Sequence, residues 1–170
     1  MRLRRNDPPA PTLALVAAVA LHEILAIYAP GTRIKWPNDL VFDGAKLAGI
    51  LLEREGEAVI LGFGVNLARH PDGLDRPATS IAALAGMAPG PADLLEILAR
   101  NLSRWLARWR QEGLEAVLSA WRGAAHPLGT PLSTSEGEGL FDGLDETGAL
   151  RLRLADGGLR VIHAGDVFLV

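Results

Sequence analysis

The chain has 170 residues, 49% hydrophobic and 22% charged, with 20 acidic residues against 17 basic ones for a net charge of −3. This is too apolar and too weakly charged for a disordered chain, too short for a large multidomain machine, and without a global positive field that would draw nucleic acid or anionic lipid. Cysteine is absent, which excludes disulfides, thiolate metal sites, iron–sulfur clusters and a cysteine nucleophile.

Leu13, Val16, Ala17, Ala20, Leu21, Ile24, Leu25 and Tyr28 fall at helical spacing, with Thr12 placed to cap the start and Pro30-Gly31 to stop it. The opposite face, Ala14, Leu15, Ala18 and Val19, is apolar too. That predicts a helix buried on more than one side and packed on a sheet. Residues 13–21 are the longest uninterrupted apolar run, too short to cross about 30 Å of hydrocarbon, and the polar, proline-rich residues 6–11 argue against a signal peptide. The expectation is a cytoplasmic protein with no membrane partner.

Residues 32–35 read as a short extended segment before Trp36-Pro37. Strands are expected at 40–42 and 46–53, joined by the hairpin turn Asp43-Gly44, and at 58–65. A loop rich in Gly, Pro and Asp then spans about 68–91. Over 92–111 an amphipathic helix turns Leu95, Leu98, Leu102, Trp105 and Trp109 inward and leaves Arg100, Arg104 and Arg108 on a solvated face, ending near Gly113. A shorter helix carries Leu114, Val117, Leu118 and Trp121. Beyond 123–127 the pattern becomes short alternating strands, with Leu150, Leu152 and Leu154 inward and Arg151 and Arg153 outward. Four or five such strands make a small SH3-like β-barrel. The expected fold class is α/β of the α+β type: a mixed sheet with packed helices over 1–125, then the barrel over 126–170.

Common site patterns are missing. His22-Glu23 lacks the second histidine of a zinc helix, His70, His126 and His163 are far apart, and no metal ligands are assigned. There is no G-x-S-x-G elbow and no P-loop, and Gly62-Phe63-Gly64 lacks the third glycine of a dinucleotide fingerprint. What stands out is the strand at 58–65. Val59, Leu61, Phe63 and Val65 share one face, while Gly62, Gly64 and then Asn66 leave the other nearly bare. Such a face suits close approach by a flat heterocycle such as adenine, with Asn66 as donor and acceptor; the plainer reading is room for a bulky neighbour and a turn cap. Lys46 heads a buried strand, where its charge either meets an anionic ligand or extends to solvent. Lys35-Trp36-Pro37-Asn38-Asp39 crowds cation, indole, amide and carboxylate together, as a candidate ligand loop or as a structural turn with Trp36 in the core.

Lys35-Trp36-Pro37-Asn38-Asp39, Lys46-Leu47-Ala48-Gly49-Ile50-Leu51-Leu52-Glu53 and Gly62-Phe63-Gly64-Val65-Asn66-Leu67, in that order and spacing, resemble biotin protein ligase. The resemblance continues through Thr79-Ser80 to the small C-terminal barrel. It implies ATP-dependent formation of biotinyl-AMP, assisted by Mg²⁺, and transfer of biotin to a lysine of a carboxylase carrier domain. By the same resemblance Lys46 is the catalytic lysine at the biotin carboxylate and adenylate phosphate. Gly49 follows it on the biotin side, Asn66 reads the adenine edge beside Gly62 and Gly64, and Asp39 lies near the reacting acyl group. The family's G-R-G-R-x-G-R loop has no counterpart here, and Met1-Arg2-Leu3-Arg4-Arg5 resembles the tail of the strand that follows it, so a partial catalytic domain is expected. No helix-turn-helix is seen and no DNA partner is expected, whereas a homodimer stays open. The alternatives are a non-catalytic remnant that binds nucleotide, carrier protein or a complementary fragment, and a relative that uses lipoate.

Overall fold

The computed structural model describes residues 1–73 and 76–170; residues 74–75, within the expected 68–91 loop, lie outside the described residues. A 3₁₀ turn, Ala10–Thr12, leads into α1, Leu13–Tyr28. Thr12 does not cap the helix through its side chain. Its hydroxyl donates to the Pro9 carbonyl at 2.6 Å and accepts from Trp109 Nε1 at 2.9 Å. Four strands follow: β1, Arg33–Lys35; β2, Asp39–Phe42; β3, Ala45–Glu55; and β4, Ala58–Val65. They form a sheet in chain order with antiparallel pairing throughout, and parallel contact is confined to isolated bridges at Ile34–Ala125 and Lys46–Ala78. Asp43 and Gly44 both take positive φ, 47° and 78°, as a tight two-residue hairpin requires.

The chain start lies against β4: Val59 N–H donates to the Met1 carbonyl and Leu3 N–H to the Glu57 carbonyl, both at 2.8 Å. Met1–Leu3 thus lies alongside β4 through an isolated antiparallel bridge between Arg2 and Ala58.

Within the expected loop, a short helix α2, Ile81–Ala85, starts at Ser80, whose hydroxyl accepts from Ala83 N–H, and stops at Gly86 in the left-handed region. The serine and glycine punctuation of this helix was present in the sequence. Helices α3, Pro91–Glu112, and α4, Leu114–Ala124, meet at Gly113. On α3 the buried stripe is Leu94, Leu98, Trp105 and Trp109, whereas Leu95 is 65% exposed, so the inward face begins one residue earlier than expected. Arg104 is not merely solvated: it pairs with Glu23 of α1, which also accepts from Asn101 Nδ2 at 2.9 Å and Trp105 Nε1 at 3.0 Å.

Helix α1 explains its own composition. Together with the preceding turn it is long and apolar enough to cross a membrane by length and composition, and 61% of that window is buried inside the protein. Contacts with α3 and α4 on one side and with β1, β2 and β3 on the other make it the centre of the core.

The C-terminal strands β5, Pro131–Thr134; β6, Gly137–Leu144; β7, Leu150–Arg153; β8, Leu159–Ile162; and β9, Val167–Leu169, form an antiparallel SH3-like sheet ordered β8-β7-β6-β5-β9. Trp36 joins it to the first unit. The indole is 5% exposed and donates to the Gly148 carbonyl at 3.1 Å. Gly148 has φ 87° and lies against Leu15, 2.6 Å from where a Cβ would stand, so both backbone conformation and packing require glycine there.

Burial lowers the pKa of His22 and of His126, and for His126 the neighbouring charges of Arg33 and Lys35 act in the same direction. The unfolded chain therefore takes up protons at about pH 6.5 that the native rings refuse. Stability from this source is complete above about pH 6.5 and declines as the pH falls through that value towards the lowered native ones. Urea midpoints are expected to be level from about pH 8 to 7 and to drop between about 6.5 and 5, with a shallower drop in His126→Asn; a level profile across the whole range contradicts this account.

Candidate active site

The site is built on an irregularity in β3. Asp39 pairs with Gly49 and Leu40 with Ala48, but Val41 pairs with Lys46, so the register shifts by one residue at Leu47. In a regular strand Lys46 and Gly49 would project to opposite faces. The bulge turns Lys46 to the face that carries Asp39 and Gly49.

There the ammonium of Lys46 lies 2.6 Å from Asp39 Oδ1, and Lys35 Nζ lies 3.4 Å from Asp39 Oδ2. Asp39 is 8% exposed while the Lys46 side chain is half-exposed. The buried carboxylate thus holds two cations, one of which faces open space. A Cβ on Gly49 would stand 3.1 Å from the end of Lys46 and 3.3 Å from Asp39 Oδ1, so a methyl there would press on both partners of the pair by a few tenths of an ångström. Across the ladder Gly49 pairs with Gly64, extending the bare floor onto β4.

One wall is the backbone before α2. Lys46 N–H donates to the Pro77 carbonyl at 2.8 Å, and Thr79 N–H donates to the Lys46 carbonyl at 2.9 Å. Asn66 fastens this wall to the sheet, its Nδ2 donating to the carbonyls of Thr79 at 2.9 Å and Lys46 at 3.3 Å. Two carbonyl partners define the amide orientation, and Oδ1 has no hydrogen-bond partner among the described residues. Its donors are thus committed to the fold, and Oδ1 is the atom left to accept a further hydrogen bond.

Lys46, Gly49, Gly64 and Asn66 line a single cavity of about 710 Å³, together with Arg76 and Pro77. The two groups on which the sequence reading rests share one hollow. Asp39 lies behind Lys46. Gly62 faces Leu51, 3.6 Å from its Cβ, and is not part of the cavity lining. Of the candidate ligand loop, Lys35 reaches the site through Asp39, whereas Trp36 is committed to Gly148. Asn38 is clamped to β3, its Nδ2 donating to the Ile50 carbonyl at 2.7 Å and its carbonyl accepting from Ile50 N–H at 2.9 Å. Arg76 was missed by sequence reasoning; the signal was a basic residue in a long loop, where functional groups concentrate.

A fixed cation, a bare peptide floor and an amide acceptor around a half-open cavity form a site for an anionic, flat ligand. A family model described as the Biotin/lipoate A/B protein ligase family matches residues 7–123, and one described as the Biotin protein ligase C terminal domain matches residues 134–170. The chain belongs to the biotin/lipoate A/B protein ligase family. It is 40% identical to the biotin–[acetyl-CoA-carboxylase] ligase of Paracoccus denitrificans, over 92% of this chain and 72% of that protein. To the bifunctional ligase/repressor BirA of Escherichia coli (strain K12) it is 31% identical, over 99% of this chain and 56% of that one. The biotin protein ligase of Aquifex aeolicus in complex with biotin and ATP shares its fold, with a TM-score of 0.84 at 22% identity, over 95% of this chain and 72% of that one. The chain thus spans between about half and three quarters of the length of these relatives.

Asp39→Asn leaves two ammonium groups without the anion between them and is expected to lower unfolding stability by about 1–3 kcal/mol. Gly49→Ala displaces only the tip of a flexible side chain and should cost less than about 1 kcal/mol. Urea unfolding of both variants checks the order, and a Gly49→Ala loss larger than that of Asp39→Asn contradicts it.

Proposed function

We propose that this chain is a biotin protein ligase, joining the biotin carboxylate to ATP as biotinyl-AMP and passing biotin to a lysine of a carboxylase carrier domain. The observation that carries the reading is the cavity shared by Lys46 and Asn66, between a glycine-paved floor and the Pro77–Thr79 wall. Family membership and the biotin- and ATP-bound relative of the same fold support it.

In the first step a carboxylate oxygen attacks the α-phosphorus, and the bond to the bridging oxygen breaks with its electron pair leaving on pyrophosphate. Negative charge builds on phosphoryl oxygens, and the ammonium of Lys46, held by Asp39, stabilises it in a partly dry site. Adenine lies over Gly49 and Gly64 with its exocyclic amine donating to Asn66 Oδ1. In the second step an acceptor lysine amine attacks the acyl carbon, the acyl–oxygen bond breaks with its electron pair leaving on AMP, and the amine's proton passes to solvent, while Asp39 acts from behind Lys46 by holding its ammonium. No group of three histidine or acidic side chains able to hold a metal ion occurs among the described residues. Mg²⁺ therefore belongs to this reading as the companion of the ATP phosphates, and no protein cage is assigned to it.

Biotin-dependent exchange of labelled pyrophosphate into ATP tests the proposal. The chain is expected to support exchange with biotin in preference to lipoate, and Lys46→Ala to lower it about 100-fold or more in protein that is less stable yet still folded, since Asp39 keeps Lys35 as a partner. An unchanged rate in Lys46→Ala refutes the role of Lys46. Nucleotide binding without exchange by the unaltered chain refutes the ligase reading in favour of a nucleotide-binding remnant.

A further inference from the structure

Two buried side-chain polar atoms, Trp121 Nε1 and His126 Nε2, have no hydrogen-bond partner among the described residues. Their chemistry is complementary, since an indole N–H only donates and an imidazole nitrogen without a proton accepts. Trp121 is 1% exposed, and the indoles of Trp36, Trp105 and Trp109 all have acceptors, in the Gly148 carbonyl, the Glu23 carboxylate and the Thr12 hydroxyl. Trp121 is thus the exception to a rule the other three tryptophans obey. Trp121 and His126 also line one small cavity of about 10 Å³, together with Lys35, Leu132 and Phe141. That is the space of a single water and too little for a larger ligand.

We infer that this cavity is the site of one ordered water, which accepts from the Trp121 indole N–H and donates to His126 Nε2. The bridge joins α4 to the segment by which the chain leaves it for the barrel, and so fixes that turn. Acceptance at Nε2 puts the ring proton of His126 on Nδ1. His126 also borders the larger hollow lined by Arg33, Arg122 and Arg151, which gives that N–H a route to solvent. Burial and the charges of Arg33 and Lys35 favour the neutral ring, the form that accepts. Lys35 turns its ammonium to Asp39 and to the Val167 carbonyl, and its third N–H completes the set of about three hydrogen bonds that a buried water makes. The water thus adjoins the lysine that holds Asp39, at the place where α4, β1 and the barrel meet.

Nuclear magnetic resonance on the ¹⁵N-labelled full chain tests the site, with the three partnered indoles as internal controls. The Trp121 indole N–H is expected to show a dipolar cross-peak to a long-lived water, and His126 the nitrogen shifts of a bare Nε2 with hydrogen on Nδ1. In His126→Leu the cross-peak should be lost. The Trp121 signal is identified by its disappearance in Trp121→Phe or, should that variant not fold, by through-space contacts with the Phe141 ring, whose centroid lies 6.3 Å away. Urea midpoints supply a second readout. The drop in Trp121→Phe/His126→Leu is expected to be smaller than the sum of the single drops, because removing one partner strands the other and removing both strands neither. Absence of the water cross-peak at Trp121, a hydrogen on Nε2 of the neutral ring, or additive drops in the double variant each overturn the inference. These outcomes hold whether or not the chain supports exchange, so failure of the ligase reading leaves the water site standing.

Discussion

A carboxylate that is 8% exposed must be compensated, and the way Asp39 is compensated organises the catalytic side of this protein. Two lysines answer it, one from β1 and one from β3, and the second is available only because β3 carries a bulge at Leu47. Without the bulge Lys46 would project from the other face of the sheet. The glycine at 49 is the second half of the same constraint, since a side chain there would press on the end of Lys46. Strand irregularity, missing side chain and buried anion form one unit, and the cavity is its open side.

The C-terminal barrel is fastened to this unit rather than appended to it. Trp36 donates to Gly148, Lys35 to Val167, and Arg76 stacks on Phe168. The residues flanking Asp39 in the chain therefore carry the junction between the two sheets. Their density of functional groups, which reads as a ligand loop in the sequence, serves mainly to join the parts of the fold, and only Lys35 communicates with the ligand side.

Helix α1 shows a similar economy. Its apolar surface on nearly every face, ambiguous between membrane and core when taken alone, is consumed by α3 and α4 on one side and the sheet on the other. The few polar contacts that cross this layer are specific: Glu23 gathers Asn101, Arg104 and Trp105, and Thr12 accepts from Trp109. They set how α3 lies over α1, whereas the indole N–H of Trp121 on α4 is buried without a hydrogen-bond partner among the described residues.

Periodicity and turn chemistry were enough to locate α1, α3 and α4, the Asp43-Gly44 hairpin and the alternating strands of the barrel, because those signals are local. Lys46, Gly64 and Asn66 stood out likewise, since a charge at the head of a buried strand and glycines on one strand face break the local pattern visibly; Gly49 entered only through the family resemblance, and Gly62, read beside Gly64, faces Leu51 instead of the cavity. Strict alternation, however, would put Lys46 and Gly49 on opposite faces, and only the cross-strand register, a relation between β2 and β3, brings them together. The commitment of Trp36 and Asn38 to the fold, the restriction of Asn66 to acceptor, and the arrival of Arg76 over Phe168 all depend on partners tens of residues away. One-dimensional spacing carries the identity of the groups and their faces; the pairing of strands and the docking of the barrel decide which of them meet.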